Sequence, residues 1–181
     1  NLLKTMNMMI EVDILLIKQI ELKYLSKIKK LLYLLAVDGP KAPNVSQLAG
    51  DIETSRATVM NYIKYLADAR LINMVYPQGE EFPKKPAKIM MHNPNLMYPI
   101  YPIHIEDQDV LDTFFVNALW KDHKVNKGDK LVPFIVDGKL PFRICTEGAK
   151  IKHDPDVTYA LHKAEIGRGN LVPLWLFGFL Y

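Results

Sequence analysis

The sequence predicts a mixed α+β protein, and three observations support this. Apolar residues in the first half recur at the three- and four-residue spacing of amphipathic helices. The second half has short apolar segments rich in β-formers, separated by glycine, proline and aspartate. Of the 181 residues, 49% are hydrophobic and 24% are charged, which is typical of a folded globular protein. We therefore expect helices first and a small sheet-containing module second.

Two helices are expected near the N-terminus. The stretch from Leu2 to Gln19 and the stretch from Tyr24 to Ala36 both carry apolar residues at helical spacing. Asp38-Gly39-Pro40 should end the second helix, because glycine and proline stop helices. The chain begins without an initiator methionine and shows no signal-peptide pattern, which indicates a piece of a longer protein.

Asn44 and Ser55 can each cap a further helix, because their side-chain oxygens accept hydrogen bonds from free backbone N–H groups. The two helices would run from about Val45 to Ile52 and from Arg56 to Ala69. Two helices joined by a tight turn are typical of a helix-turn-helix. The residues expected on the buried face of the second helix are Val59, Ile63 and Leu66.

A β-hairpin is expected after these helices. Leu71 to Tyr76 is rich in β-formers, Pro77 to Pro83 has the composition of a loop, and Ile89 to Met91 can form the returning strand. A helix, a turn, a helix and a hairpin in this order predict a winged helix-turn-helix.

The sequence changes character after Asn93, where prolines suggest a linker. We therefore divide the chain into residues 1–98 and 99–181. A helix is expected from about Val110 to Lys121, followed by a polar loop from Asp122 to Asp129. The expected strands are Leu131 to Val136, Phe142 to Cys145, Thr158 to Leu161 and Leu171 to Phe177, with Asp137-Gly138 as a hairpin turn.

The second helix of the helix-turn-helix is a candidate nucleic-acid surface. Arginine and lysine contact phosphates, arginine and asparagine read base edges, and a helix N-terminus favours phosphate. The candidate residues are Ser55, Arg56, Thr58, Met60, Asn61 and Lys64 on the helix, and Lys84, Lys85 and Lys88 in the wing. The formal charge is only +3, and Asp51, Glu53 and Asp68 dilute the basic face, so protein contact or a spacer role is the alternative for this surface.

Cysteine and histidine chemistry is poorly represented. With one cysteine, Cys145, no disulfide can form within the chain and no multi-cysteine zinc site is possible, which fits a reducing, cytoplasmic compartment. The five histidines have no metal-ligand spacing, so no metal is expected. The apolar run from Leu171 to Tyr181 is too short to span a membrane. Cys145 is expected inside a strand, and Trp120 and Trp175 are expected as anchors of the core.

Several blocks of the chain resemble one known family. They are Lys27 to Tyr33, Leu48-Ala49, Ser55 to Val59 with Tyr62-Ile63 and Tyr65-Leu66, Lys85 to Ile89, Asn93 to Tyr98, Thr113 to Asn117 and Glu165 to Gly178. On these blocks the chain resembles the C-terminal half of bacterial AAA-type ATP-binding proteins. The resemblance implies a winged helix followed by a small α/β domain with a restriction-endonuclease-like fold. It also implies an N-terminal P-loop ATPase domain, which would hold ATP and Mg²⁺. The chain itself has no P-loop motif and should not hydrolyse ATP by that route.

The nuclease-like site implied by the resemblance looks degenerate. A nuclease of that fold needs two or three acids around Mg²⁺ and a lysine that positions water. The resemblance assigns Asp112 as one acid and Lys150 as the lysine, which are the only weak catalytic candidates. Pro133 and Arg143 occupy the other two acid positions, and Arg143 would repel a metal ion. We expect a catalytically silent domain, with a residual Mg²⁺ nuclease as the minor alternative.

Two functions follow from these expectations. The first is an accessory region of an ATP-binding AAA-type protein that binds DNA through the winged helix. The second is a protein-interaction or oligomerisation module that regulates the ATPase half, with the chain itself as a possible homo-oligomer. Neither function requires a cofactor in this chain.

Overall fold

The computed structural model describes residues 2–14, 21–100, 105–146, 148–149 and 154–180. It is a mixed α+β structure, as the sequence predicts. The chain divides into two compact units, one formed by Asn1–Met74 and Glu81–Ile105, the other by Val75–Glu80 and Glu106–Tyr181. No helix in the described ranges combines the length and apolar character needed to cross a membrane.

The first unit is mainly helical. Its α-helices are α1 (Leu2–Met9), α2 (Leu25–Asp38), α3 (Val45–Asp51), α4 (Arg56–Asp68) and α5 (Met97–Ile100). A π-helix, Ile10–Ile14, follows α1, and 3₁₀ turns at Leu22–Tyr24 and Pro94–Leu96 precede α2 and α5. Strand β1 (Ile72–Pro77) begins in this unit, and β2 (Lys88–Met91) lies wholly within it.

The apolar faces of α2, α3 and α4 form the core of the first unit. Val59, Ile63 and Leu66 on α4 are fully buried, which confirms the face predicted from their spacing. The other buried residues of these helices are Ile28, Leu31, Leu32, Leu35, Val45, Leu48, Ala49 and Tyr62. Because α3 has only 7 residues, it depends on this packing and on its caps for stability.

Both predicted helix caps are present. Ser55 Oγ accepts a hydrogen bond from the Thr58 backbone N–H at 3.1 Å. Asn44 Oδ1 accepts from the Gln47 N–H, and Asn44 Nδ2 donates to Gln47 Oε1, both at 3.3 Å. These bonds fix where α3 and α4 begin, because they satisfy N–H groups that have no partner within the helix.

The second unit consists of one long helix and a mixed sheet. Its elements are α6 (Asp107–Leu119), β3 (Val125–Lys127), β4 (Phe134–Val136), β5 (Leu140–Cys145), β6 (Thr158–Leu161), β7 (Leu171–Pro173) and the 3₁₀ helix Leu174–Phe179. The described strands are hydrogen-bonded in the order β2-β1-β3-β4-β5-β6-β7. The β3–β4 and β4–β5 pairs are antiparallel, whereas β1–β3, β5–β6 and β6–β7 are parallel.

An aromatic cluster joins α6 to one face of this sheet. The Phe115 ring centroid lies 5.6 Å from that of Phe134, 5.2 Å from that of Phe142 and 5.1 Å from that of Phe177. Phe115 and Phe134 are completely buried. The buried Cys145 and Tyr159 belong to a second cluster with Val157. Cys145 is therefore a buried residue within a strand, as predicted, and burial raises the pKa of its thiol.

A turn forms at Asp137-Gly138, where it was predicted, and joins β4 to β5. The loop has three residues, 137–139, between the paired Val136 and Leu140, one more than the two-residue hairpin that Asp-Gly indicates. Asp137 and Gly138 have φ values of 52° and 72°, and positive φ at both central residues is what a type I′ hairpin turn requires.

The C-terminal strand was predicted too long. It ends at Pro173, and Leu174–Phe179 form a 3₁₀ helix instead of continuing to Phe177 as a strand. Leu174 and Phe177 are buried while the residues between them are exposed, a three-residue spacing that matches the 3₁₀ repeat rather than strand alternation. The prediction that both tryptophans anchor the core is also wrong, because Trp120 is 37% exposed and Trp175 is 50% exposed.

Three further boundaries differ from the sequence prediction. The expected polar loop from Asp122 to Asp129 contains β3, which pairs with both β1 and β4. The strand expected from Leu131 begins only at Phe134, and Leu131 is 70% exposed. The proline-rich stretch expected to be a linker contains α5. The C-terminal end of the first predicted helix, residues 15–19, lies outside the described residues.

Candidate nucleic-acid interface

Helix α4 presents a polar face opposite its buried one. Arg56 and Asn61 are exposed, and Met60 and Lys64 are half-buried. At 100° per residue, the positions from Arg56 to Asn61 to Lys64 fall within an arc of about 140°. The apolar residues Val59 and Ile63 lie outside this arc and are fully buried. The structure thus separates the predicted contact residues of α4 from its core-packing residues.

The cations on this face differ in their availability. Lys64 Nζ forms an ion pair with the Asp68 carboxylate one turn along the helix. Arg56 forms no ion pair or hydrogen bond through its guanidinium group within the part of the chain that the structure describes. Arg56 is therefore the cation of α4 that can engage an external anion without first breaking an internal contact.

The hydroxyl groups at the start of α4 are used within the protein. Ser55 Oγ and Thr58 Oγ1 lie 2.8 Å apart and share a hydrogen bond, and Ser55 Oγ also accepts from the Thr58 N–H. Ser55 and Thr58 therefore hold the helix N-terminus in shape rather than offering free side chains. The backbone N–H groups of the first turn remain as possible donors to a phosphate.

The predicted wing lysines are not equivalent. Lys84 and Lys85 are exposed in the segment between the strands, whereas Lys88 is the first residue of β2 and is half-buried. Both Lys84 and Lys88 interact with other residues, but Lys85 has no such partner among the described residues. The buried Pro86 next to Lys85 anchors this part of the segment. Lys85 is thus the wing lysine that is most available to a ligand.

Two lysines of α2 hold the turn between α3 and α4. Lys27 Nζ donates to the Glu53 carbonyl oxygen, and Lys30 Nζ donates to the Asp51 carbonyl oxygen, each at 2.5 Å. Glu53 has a φ of 52°, so the turn passes through left-handed backbone conformation at this residue. The sequence analysis missed this role. The i, i+3 spacing of Lys27 and Lys30 puts them on one helix face, which is the only signal the sequence offers.

The described residues of the implied nuclease site do not form a metal-binding arrangement. Asp112 is 6% exposed on α6, and its Oδ1 accepts a hydrogen bond from Gln108 Nε2 at 2.7 Å. Gln108 Nε2 also lies 3.3 Å from the Ile144 carbonyl oxygen of β5. Lys150 lies outside the described residues. Within the described ranges, no group of three or more histidine, cysteine, aspartate or glutamate side chains could hold a metal ion.

A histidine–aspartate pair that the sequence analysis missed lies at the β4–β5 turn. His123 Nδ1 is 2.8 Å from Asp137 Oδ2, and the Lys124 N–H donates to Asp137 Oδ1 at 2.9 Å. These contacts, with the charge of the nearby Lys139, hold the pKa of the Asp137 carboxyl below its usual value. The sequence marked Asp137 only as a turn residue, because nothing local indicates a contact fourteen residues away.

Comparison with known protein families finds a match to a family described as Domain of unknown function (DUF8612). The match covers residues 3–97, more than half of the chain. The chain therefore belongs to this family. Comparisons with curated proteins and with solved structures found no match.

Proposed function

We propose that the chain is an accessory region of an AAA-type ATP-binding protein and that it binds DNA through a winged helix-turn-helix. In this proposal α3 and α4 form the helix-turn-helix and β1 and β2 flank the wing. The second unit is a restriction-endonuclease-like domain without catalytic activity. Support for the ATP-binding partner comes from the sequence resemblance, and support for DNA binding comes from α4.

The observation that carries the DNA proposal is the placement of Arg56. It is exposed on the first turn of α4, it has no internal partner in the described part of the chain, and the helix face opposite the polar arc carries the buried Tyr62 and Leu66. A helix lying in the major groove uses its N-terminal residues to contact base edges and phosphates. Arg56 and Asn61 have the chemistry for base-edge contacts, and Lys85 can reach a phosphate as a point charge.

A fluorescence anisotropy titration of labelled duplex DNA over a series of salt concentrations tests this proposal. We expect R56A/K85A to weaken binding about tenfold and to reduce the salt dependence by about two phosphate contacts. The matched control is K23A/K41A, which removes the same charge from lysines already paired with Glu21 and Asp38. Equal binding by R56A/K85A and the control would rule out α4 and the wing as the interface.

A protein-interaction role is the second candidate, because the C-terminal 3₁₀ helix exposes large apolar side chains. Trp175 is 50% exposed and Phe179 is 74% exposed, and their rings pack edge to face with centroids 6.0 Å apart. Sedimentation velocity of W175S/F179S against the unchanged chain tests this role. An oligomer that dissociates in the variant supports it, whereas a monomer in both, with unchanged binding to the ATPase half, rejects it.

Absence of nuclease activity is part of the proposal. The single carboxylate Asp112 is buried and already hydrogen-bonded, whereas two-metal and one-metal phosphodiester hydrolysis needs several converging oxygens. We expect no cleavage of plasmid DNA with Mg²⁺ or Mn²⁺. Cleavage that disappears in D112A would overturn this part of the proposal.

A further inference from the structure

The cationic side chains of the first unit are mostly engaged within the protein. Lys29 pairs with Glu11, Lys41 with Asp38 and Lys64 with Asp68. Lys27 and Lys30 donate to backbone carbonyl oxygens. A lysine that already neutralises a carboxylate contributes little net field to an external ligand.

The segment 121–139 of the second unit is different. It contains five lysines and three aspartates, so with a neutral histidine it carries +2 of the +3 formal charge of the whole chain. All five lysines are exposed, and none of their ammonium groups has a hydrogen bond or ion pair with another described residue. These lysines are Lys121, Lys124, Lys127, Lys130 and Lys139. The lysines of this segment therefore differ from those of the first unit, because their ammonium groups have no partner within the described protein.

Two of the three aspartates of this segment form hydrogen bonds with backbone N–H groups, and one of these two also contacts a histidine. Asp129 Oδ1 accepts from the Leu131 and Val132 N–H groups at 2.7 and 2.8 Å. Asp137 accepts from the Lys124 N–H and contacts His123 Nδ1. The carboxylates that could have paired with the lysines therefore hold the loops in shape, and the ammonium groups remain directed to solvent.

The β4–β5 turn brings part of this charge together. The Asp137 N–H donates to the Lys124 carbonyl oxygen at 2.8 Å, so Lys124 lies beside the turn that carries Lys139. Gln78, which directly follows β1, also contacts this turn, since its Nε2 donates to the Gly138 carbonyl oxygen at 3.2 Å. Lys127 follows Lys124 by three residues, and this odd spacing along a strand places the two side chains on opposite faces, so Lys127 is not part of this group. The β4–β5 turn therefore brings the positive charges of Lys124 and Lys139 together.

We propose that Lys121, Lys124 and Lys139 form a basic surface on the second unit that contacts the phosphate backbone of nucleic acid. A polyanion fits this surface, because several exposed ammonium groups without internal partners gain most from a ligand that carries many negative charges. Asp137 acts as a positioning residue, since its carboxylate contacts both His123 and the Lys124 N–H and so holds this part of the chain against the turn. This inference shares with the proposed function only the class of ligand, and the lysines that it assigns differ from the contact residues proposed on α4 and in the wing.

Anisotropy titrations of labelled duplex and single-stranded DNA with the full chain test the inference. The variant is K121Q/K124Q/K139Q, and the control is K23Q/K29Q/K41Q, which removes the same charge from paired lysines. We expect the first variant to lower the slope of log K against log salt by about 2–3 and to weaken binding more than tenfold at low salt. We expect the control to change binding less than twofold. Circular dichroism should show that both variants keep the fold.

The outcomes separate this inference from the proposed function. If K121Q/K124Q/K139Q binds like the control while R56A/K85A loses binding, the basic surface is wrong and the α4 interface stands. If the lysine variant loses binding and R56A/K85A does not, the basic surface stands alone. Binding of the unchanged chain to anionic lipid vesicles, but not to either DNA, with the same dependence on the three lysines would overturn the nucleic-acid assignment.

Discussion

Lys27 on α2 reaches across to the turn before α4, where its Nζ donates a hydrogen bond of 2.5 Å to the carbonyl oxygen of Glu53. Lys30, one turn further along α2, does the same for the Asp51 carbonyl oxygen. These carbonyls lie at the end of α3, where a helix has unpaired acceptors and a partial negative charge. The two lysines therefore tie the direction of α4 to α2, and the outward face of α4 depends on them.

Removing both lysines should loosen this turn. We expect K27M/K30M to lower the free energy of unfolding by about 1–2 kcal/mol, because two charge-assisted hydrogen bonds are lost from partly exposed groups. Urea denaturation followed by circular dichroism measures the change. The control K41M removes an exposed ion pair and should shift the midpoint much less. Equal midpoints for the double variant and the control would show that these contacts do not stabilise the fold.

The N-cap of α4 offers a second stability test. Ser55→Ala removes the acceptor of the Thr58 N–H, and we expect it to cost about 1 kcal/mol. Ser55→Asp keeps an acceptor and adds a favourable charge at the helix N-terminus, so it should retain the stability of the parent chain. Thermal denaturation of the three proteins checks this order. If S55D is as unstable as S55A, the hydrogen bond is not the source of the effect.

Local signals in the sequence were sufficient for much of the fold. The caps at Asn44 and Ser55, the buried face of α4 and the Asp137-Gly138 turn were all predicted, because each depends on residues within a few positions. Strand β3 was missed, because Val125–Lys127 is polar and short, and only its pairing with two neighbouring strands makes it a strand. The 3₁₀ helix after Pro173 was missed, since its apolar run also has the composition of a buried strand.

The candidate sites were less predictable than the fold. The exposure of Arg56 follows from helical spacing, but the pairing of Lys64 with Asp68 and the partners of the α2 lysines depend on three-dimensional contacts. The lysines of residues 121–139 are visible in the sequence as a basic stretch. Their lack of ion-pair partners is a property of the folded loops, where Asp129 and Asp137 bind backbone N–H groups instead.

The aromatic cluster of the second unit predicts a large difference between two phenylalanines of the same 3₁₀ helix. Phe177 is 8% exposed and its ring lies against Phe115 and Phe142, whereas Phe179 is 74% exposed. We expect F177A to lower the free energy of unfolding by about 3–4 kcal/mol through the cavity that it leaves. F179A should change it by about 0.5 kcal/mol or less. Similar losses for both variants in urea denaturation would contradict the packing described for this helix.

The His123–Asp137 pair predicts a pH effect of defined sign. Hydrogen bonds from His123 and from the Lys124 N–H lower the pKa of Asp137 in the folded protein. A carboxyl whose pKa is lower when folded stabilises the fold above its unfolded pKa, and this stabilisation is lost as pH falls through its folded pKa. We expect H123A to raise the Asp137 pKa, as measured by NMR titration of its carboxyl carbon, and to make acid unfolding less steep. The control H162A changes a histidine that does not contact Asp137 and should leave that pKa unchanged. An Asp137 pKa that is the same in H123A and in the parent chain would show that the imidazole is not the cause of the shift.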